Sequence, residues 1–162
     1  MAFVSYPDPR LAKRAEPAPV DAALLATGER LLLAAAEVRA YGLAAAHIGE
    51  NAPVIVLNTG DAEHPVYGAY YNPVVEAEAG EAESGREASV SLPGVEADIA
   101  RAIWADIAWQ DAEGGAHRER MTGFLARCAL HEIEQMNGRF FLMNLSRLKR
   151  EALLKKARKR RD

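Results

Sequence analysis

Leu130-His131-Glu132-Ile133-Glu134-Gln135-Met136-Asn137-Gly138 is the stretch on which the reading of this chain turns. On an α-helix, residues four apart stack on one face. An H-E-x-x-H pattern therefore brings two imidazoles to one metal ion, with the adjacent glutamate placed to work on the bound water. Here the first histidine and the glutamate are present, and Gln135 stands where the second histidine would be. The pattern reads as a metal-hydrolase helix with half of its ligand pair missing: either a degenerate metalloenzyme or a helix that never held a metal.

Thr122 is a natural cap for this helix, which the periodicity carries to about Asn137 before Gly138 stops it. Phe124, Leu125, Ala129, Ile133 and Met136 make it apolar over much of its circumference, so it is expected inside a domain. A His-Glu pair on a buried helix needs partners, because unpaired burial of a polar group costs several kcal/mol, up to about 7, in the worst case.

Upstream of it, Pro17 and Pro19 precede Asp21, which starts a helix with Leu24, Leu31, Ala35 and Val38 at helical spacing and Gly42 as its stop. Val54-Ile55-Val56-Leu57 reads as a buried strand. Val66 to Tyr71 and Val74 to Glu78 read as two more, broken near Asn72-Pro73. Gly80 to Arg86 is polar and reads as a loop, and Glu87 to Pro93 as a strand end. Ile103, Ala105, Ile107 and Trp109 alternate on one face, and Asp111 to Gly115 turns the chain back through Ala116 to Arg120. A last helix starts near Ser146, with Leu145, Leu148 and Ala152 inward and its bases outward. Strands followed by a core helix predict an α+β domain.

With 162 residues the chain is expected to form a single domain over 1–162, large enough for a real core. One cysteine, Cys128, excludes an internal disulfide and suits a reducing compartment. The N-terminus has no apolar run of the kind a signal peptide needs, and no window approaches a membrane span, which by elimination favours the cytoplasm. The net charge of -3 hides an asymmetry. From Ser146 onward, nine lysines and arginines face two acids, a local +7 on a body of -10. Such a tail is either a solvated helix end, where the backbone dipole favours cations, or a contact for a polyanion such as RNA.

Three segments gain weight from their order and separation. Ala40-Tyr41-Gly42-Leu43-Ala44-Ala45-Ala46-His47, Glu87-Ala88-Ser89-Val90-Ser91 and His131-Glu132-Ile133-Glu134-Gln135 resemble the G-x-G-L-A-A-x-Q, E-G-C-L-S and H-E-x-x-H motifs of peptide deformylase, which removes formyl from the initiator methionine. Tyr6-Pro7-Asp8-Pro9-Arg10-Leu11, Tyr71-Asn72-Pro73 and Asn137-Gly138 extend the likeness over nearly the whole chain. The resemblance implies antiparallel strands around a central H-E-x-x-Q helix, with helices at both ends.

It also implies where the chemistry differs. The family's metal takes the cysteine of the second motif and both histidines of the third; those positions are Ser89, His131 and Gln135. A serine hydroxyl and a glutamine amide are neutral oxygen donors and hold a transition metal far less well than a thiolate and an imidazole. The ordinary site is therefore expected to be degenerate, with no metal held and little or no deformylation. Glu132 occupies the family's general-base position, His47 that of the glutamine which polarises the formyl oxygen, and Val90 offers a backbone N–H. Gly42, Leu43 and Ser91 are the expected substrate-binding positions. Glu96 falls near the place of a family arginine beside the bound peptide. His64 and His117, in polar stretches, are expected at the surface.

Three functions compete. One is an inactive or weakly active deformylase-like protein that keeps the groove for an N-formylmethionyl or other peptide. Another is an active amide hydrolase with a remodelled His47, His131 and Glu132 site holding iron, nickel or zinc. The third, compatible with the first, is a ribosome or nascent-peptide binder using the basic helix, since in the family the C-terminal helix docks on the ribosome. The sequence leaves the oligomeric state open.

Overall fold

The computed structural model describes residues 2–159. Three helices, α1 (Ala22–Val38), α2 (Gly123–Met136) and α3 (Arg147–Lys159), accompany seven strands. These are β1 (Gly42–Ala44), β2 (Val54–Asn58), β3 (Tyr67–Glu78), β4 (Ala82–Ala88), β5 (Glu96–Ala102), β6 (Trp104–Gln110) and β7 (Ala116–Thr122). All pairings are antiparallel, in a five-stranded sheet ordered β1-β2-β3-β6-β7 and a separate β4-β5 hairpin. The α+β expectation holds, with the H-E-x-x-Q helix packed among both sheets.

α1 begins where expected: the Asp21 carboxylate accepts from the Leu24 N–H at 2.9 Å. Its end differs. The helix closes at Arg39, in the left-handed region at φ 52°, and Gly42 opens β1 instead of stopping the helix. Gly42 is required for another reason, since a Cβ there would lie 2.9 Å from Cγ of Glu132.

The expected break at Asn72-Pro73 is not a break. β3 runs through it as one strand with a register shift between Tyr71 and Val74. Proline lacks an N–H and is tolerated in a sheet at such a bulge. Asn72 takes φ 48° and is tied down by its side chain, which accepts from Ala18 N and donates to Ala18 O and Gln110 Oε1 at 2.7–2.9 Å.

The polar stretch read as a loop over Gly80 to Arg86 is a second difference. Most of it is β4, paired along its length with β5. Its polar residues face solvent on a hairpin of which one face alone is covered, so polarity did not mark a loop. Thr122 precedes α2 as expected, but its side chain makes no capping bond. Gly138 ends α2 at φ 81°, its N–H on the Gln135 carbonyl.

α2 packs on the large sheet through Ala126, Ala129, Leu130, Ile133 and Met136, against Ile55, Leu57, Ala105 and Ile107. α1 covers the Leu43, Val54, Val56 and Tyr71 side. α3 begins near Ser146 as expected but buries no residue; Leu153, Leu154 and Ala157 lean on the Val95–Ile99 and Phe140–Leu142 cluster, and Leu148, expected inward, is 79% exposed. Arg160, Arg161 and Asp162 of the basic tail lie outside the described residues. No described helix is long and apolar enough to cross a membrane.

Candidate active site

A cavity of about 360 Å³ lies between β1, the end of β4 and α2. Gly42, Leu43, His47, Ser89, Val90, His131 and Glu132 line it, so seven of the positions singled out in the sequence meet there. Two do not. Ser91 is buried and is not part of the wall; its carbonyl receives the Tyr6 N–H. Gln135 is 1% exposed and turned away, its Nε2 donating to the Leu11 carbonyl at 2.7 Å. That bond fastens α2 to the N-terminal turn. His64 and His117 are both exposed as expected, the latter bonded to Asp111 and stacked on Trp109.

The rim of the cavity is aromatic. Tyr41 and Phe124 meet edge-to-face with centroids 4.9 Å apart, and both are exposed. Arg86 and Glu96 pair across the opposite edge at 3.3 Å. Thus Glu96 does stand beside the opening, but with its charge met by its own chain.

His47 has a fixed tautomer. Nδ1 accepts the Ala44 N–H at 3.0 Å, so Nδ1 carries no proton and the proton sits on Nε2, 3.4 Å from Ser89 Oγ. Complete burial, reinforced by the charge of His131, lowers its pKa to about 3, which keeps the ring neutral. Glu132 Oε2 lies 3.7 Å from His47 Nδ1, beyond hydrogen-bond reach, and the partners of the ring are Ala44 and Ser89. Ser89, His47 and Glu132 in that order resemble a nucleophilic triad. The tautomer defeats this reading, because an Nε2 that already bears a proton cannot accept one from Ser89.

His131 is held differently. Its Nδ1 bonds Glu87 Oε1 at 2.7 Å, and its ring stacks near Phe141. Burial alone would lower its pKa, but the Glu132 and Glu87 carboxylates outweigh that and raise it. Glu87 is the centre of a buried ionic cluster, with Arg101 bidentate at 2.9 and 3.0 Å and Arg127 at 2.8 Å. Against the upward push of burial, the bonds from His131 and Arg101 hold its carboxyl at about 2. Glu134 adds a second contact to Arg101 at 2.9 Å. Arg127 also donates to the carbonyls of Glu83 and Ile99, so it ties α2 to the β4-β5 hairpin.

Glu132 is the opposite case. Burial, with the Glu87 charge nearby, pushes its carboxyl up to about 7 although His131 pulls the other way, and Oε2 finds no hydrogen-bond partner. The one sulfur in the wall, Cys128, is no thiolate either: burial first, then the Glu132 and Glu87 charges, push it up to about 12. Among the described residues no group of three or more His, Cys, Asp or Glu side chains is arranged to hold a metal ion.

Arg101 and Arg127 carry the architecture of the site and were not found in the sequence. One signal was there. In β5 the inward positions are Ala97, Ile99 and Arg101, and a guanidinium in an apolar register position requires an acid opposite.

The fold and this cavity define a class, an α+β domain in which a central H-E-x-x-Q helix, the first strand and a hairpin end meet around a cavity. The family model described as polypeptide deformylase matches residues 1–151. The protein named peptide deformylase-like from Brucella melitensis is 38% identical over 158 residues, covering 97% of this chain and 95% of the relative. The peptide deformylase of Nitrosococcus oceani is 32% identical over 160 residues, covering 98% and 94%. A crystal structure of peptide deformylase from Ehrlichia chaffeensis superposes with a TM-score of 0.90 at 26% identity, covering 99% of this chain and 96% of the other. The chain belongs to the polypeptide deformylase family.

Proposed function

We propose that this chain is a peptide-deformylase-like protein with a degenerate metal site, which keeps the cavity for a peptide amino terminus and lacks the family's ordinary deformylation. The observation that carries this reading is the commitment of Gln135 to the Leu11 carbonyl, outside the cavity wall. Of the three positions that the resemblance assigns to the metal, one is a neutral hydroxyl, one is an amide already engaged elsewhere, and only His131 is a competent ligand. Those donors do not fit iron, nickel or zinc.

The remodelled alternative asks His47 to replace what is lost. Its outward nitrogen would have to shed a proton that the Ala44 N–H obliges it to keep, so binding a metal would break a buried hydrogen bond at a cost of about 1–3 kcal/mol. The Brucella relative carries the same "-like" designation over nearly its whole length.

The test is release of formate from an N-formyl-Met peptide by protein supplied with iron, nickel, zinc or cobalt. The expected result is turnover far below that of an ordinary member, and restored turnover in Ser89→Cys with Gln135→His. Ordinary turnover by the unaltered chain overturns the proposal. A second part of the reading concerns partners. α3 presents Arg147, Lys149, Arg150, Lys155, Lys156, Arg158 and Lys159 while burying nothing, which suits ribosomal RNA and a cytoplasmic place beside nascent chains.

A further inference from the structure

We infer that Glu96 and Asp98 on β5 act as an internal competitor for RNA: they hold α3 on the hairpin by charge across an open cleft, and RNA that takes Lys149 and Lys156 swings the helix free. This rests on the reading of α3 as a surface for ribosomal RNA.

α3 divides its bases between two faces. Residues seven apart lie two turns along the same side of a helix. Lys149 and Lys156 are so spaced, and with Ala152, Leu153 and Ala157 they form the side turned to the hairpin. By the same phasing Arg147, Lys155 and Arg158 look outward. The inner side does not seal. Two cavities, of about 360 and 460 Å³, separate it from β5, and Glu96, Leu153 and Lys156 wall both.

The charges across this gap are opposite. Glu96 and Asp98 alternate with the buried Ala97 and Ile99, which puts both carboxylates on the exposed side of β5. They share one cation, Arg86, at 3.3 and 3.8 Å. One negative charge is left over, and it faces two lysines that close to no ion pair among the described residues.

The apolar grip is slight, since α3 buries no residue and only Leu153, Leu154 and Ala157 lean on the core. Charge acting across an open gap is screened over about 10 Å at 0.1 M salt, so the hold is reversible. A phosphate backbone offers the same lysines a denser row of negative charge. Lys149 and Lys156 cannot face β5 and a phosphate backbone together, so docking of α3 and full engagement of RNA exclude each other. The cleft adjoins the candidate site, with which it shares Arg86, Ala88 and Glu96 as walls.

The experiment compares full-length protein with Glu96→Gln, Asp98→Asn in cosedimentation with purified ribosomes. The control is Glu63→Gln, Glu78→Gln, which removes the same charge from exposed acids that line neither cavity. The cleft variant is expected to bind about three- to tenfold more tightly than the parent, and the control less than about twofold. A second measurement needs no ribosome. α3 has 13 residues, a length at which a helix on its own is marginal, so an undocked α3 exchanges its amides fast. Hydrogen exchange over 153–157 in the parent is expected to quicken about three- to tenfold as salt rises from about 50 to 200 mM. In the cleft variant it is expected to be fast already at the lower salt. A cleft variant that gains no more affinity than the control overturns the inference, as does exchange that ignores both salt and substitution. Ribosome binding by none of the three proteins defeats the RNA reading of α3 instead; exchange then still decides whether Glu96 and Asp98 hold the helix.

Discussion

Glu132 pays for its position with an uncompensated carboxyl. Its pKa is held near 7 in the folded state, against 4.5 for an ordinary glutamate, because burial disfavours the charge. The sign follows directly. Between these two values the unfolded chain has released a proton that the folded chain retains, so stability falls as pH rises from about 4.5 to about 7 and is flat beyond. Replacing Glu132 with glutamine removes the titration and keeps the shape. We expect Glu132→Gln to be more stable than the parent at pH 8, by about 1–3 kcal/mol, and equal to it near pH 4. Urea unfolding at the two pH values measures this; a parent equal to the variant at pH 8 would contradict it. Glu87, two contacts away, behaves in the opposite sense. Its carboxyl is held at about 2, so the stability it contributes is present above pH 4.5 and lost as pH falls toward 2. Between these slopes the protein should be most stable in mild acid.

At the scale of elements, the bulge of β3 carries a cost that one side chain offsets. Asn72 sits in the left-handed region and supplies three hydrogen bonds, to both polar groups of Ala18 and to Gln110. Alanine would keep the strained backbone and leave those partners open. Asn72→Ala is expected to cost about 2–4 kcal/mol, read as a lowered urea midpoint with the slope unchanged. This junction also shows what the sequence could convey. Asn-Pro marked an irregularity correctly, but whether the chain leaves the sheet or bulges within it depends on Gln110 and Ala18, 38 and 54 positions away. β4 was illegible for a related reason: a strand on a two-stranded hairpin need not be apolar when a helix covers one side only. α2 was legible, because its burial is written in its own residues. The three motifs located the cavity. They did not reveal that Gln135 had left it, since a glutamine's choice of partner depends on where the Leu11 carbonyl falls.

For the molecule as a whole, the charges are partitioned by position. The acidic body pairs its buried Glu87 with Arg101 and Arg127, whereas the basic helix α3 stands on it with no residue buried. Truncation after Arg150 should therefore leave a folded domain, since what it removes from the core is the partial cover given by Leu153, Leu154 and Ala157. The truncated protein is expected to lose cosedimentation with ribosomes, and the intact protein to release them progressively as salt rises from about 50 to 200 mM. Pelleting that ignores salt would rule out an RNA contact.

The guanidinium of Arg127 joins α2 to carbonyls of both hairpin strands and to Glu87. The two banks of the cavity are thus moored to each other from within, by ions of the chain itself. The spacing between helix and hairpin is therefore set by the chain's own ions and needs no bound group to hold it apart.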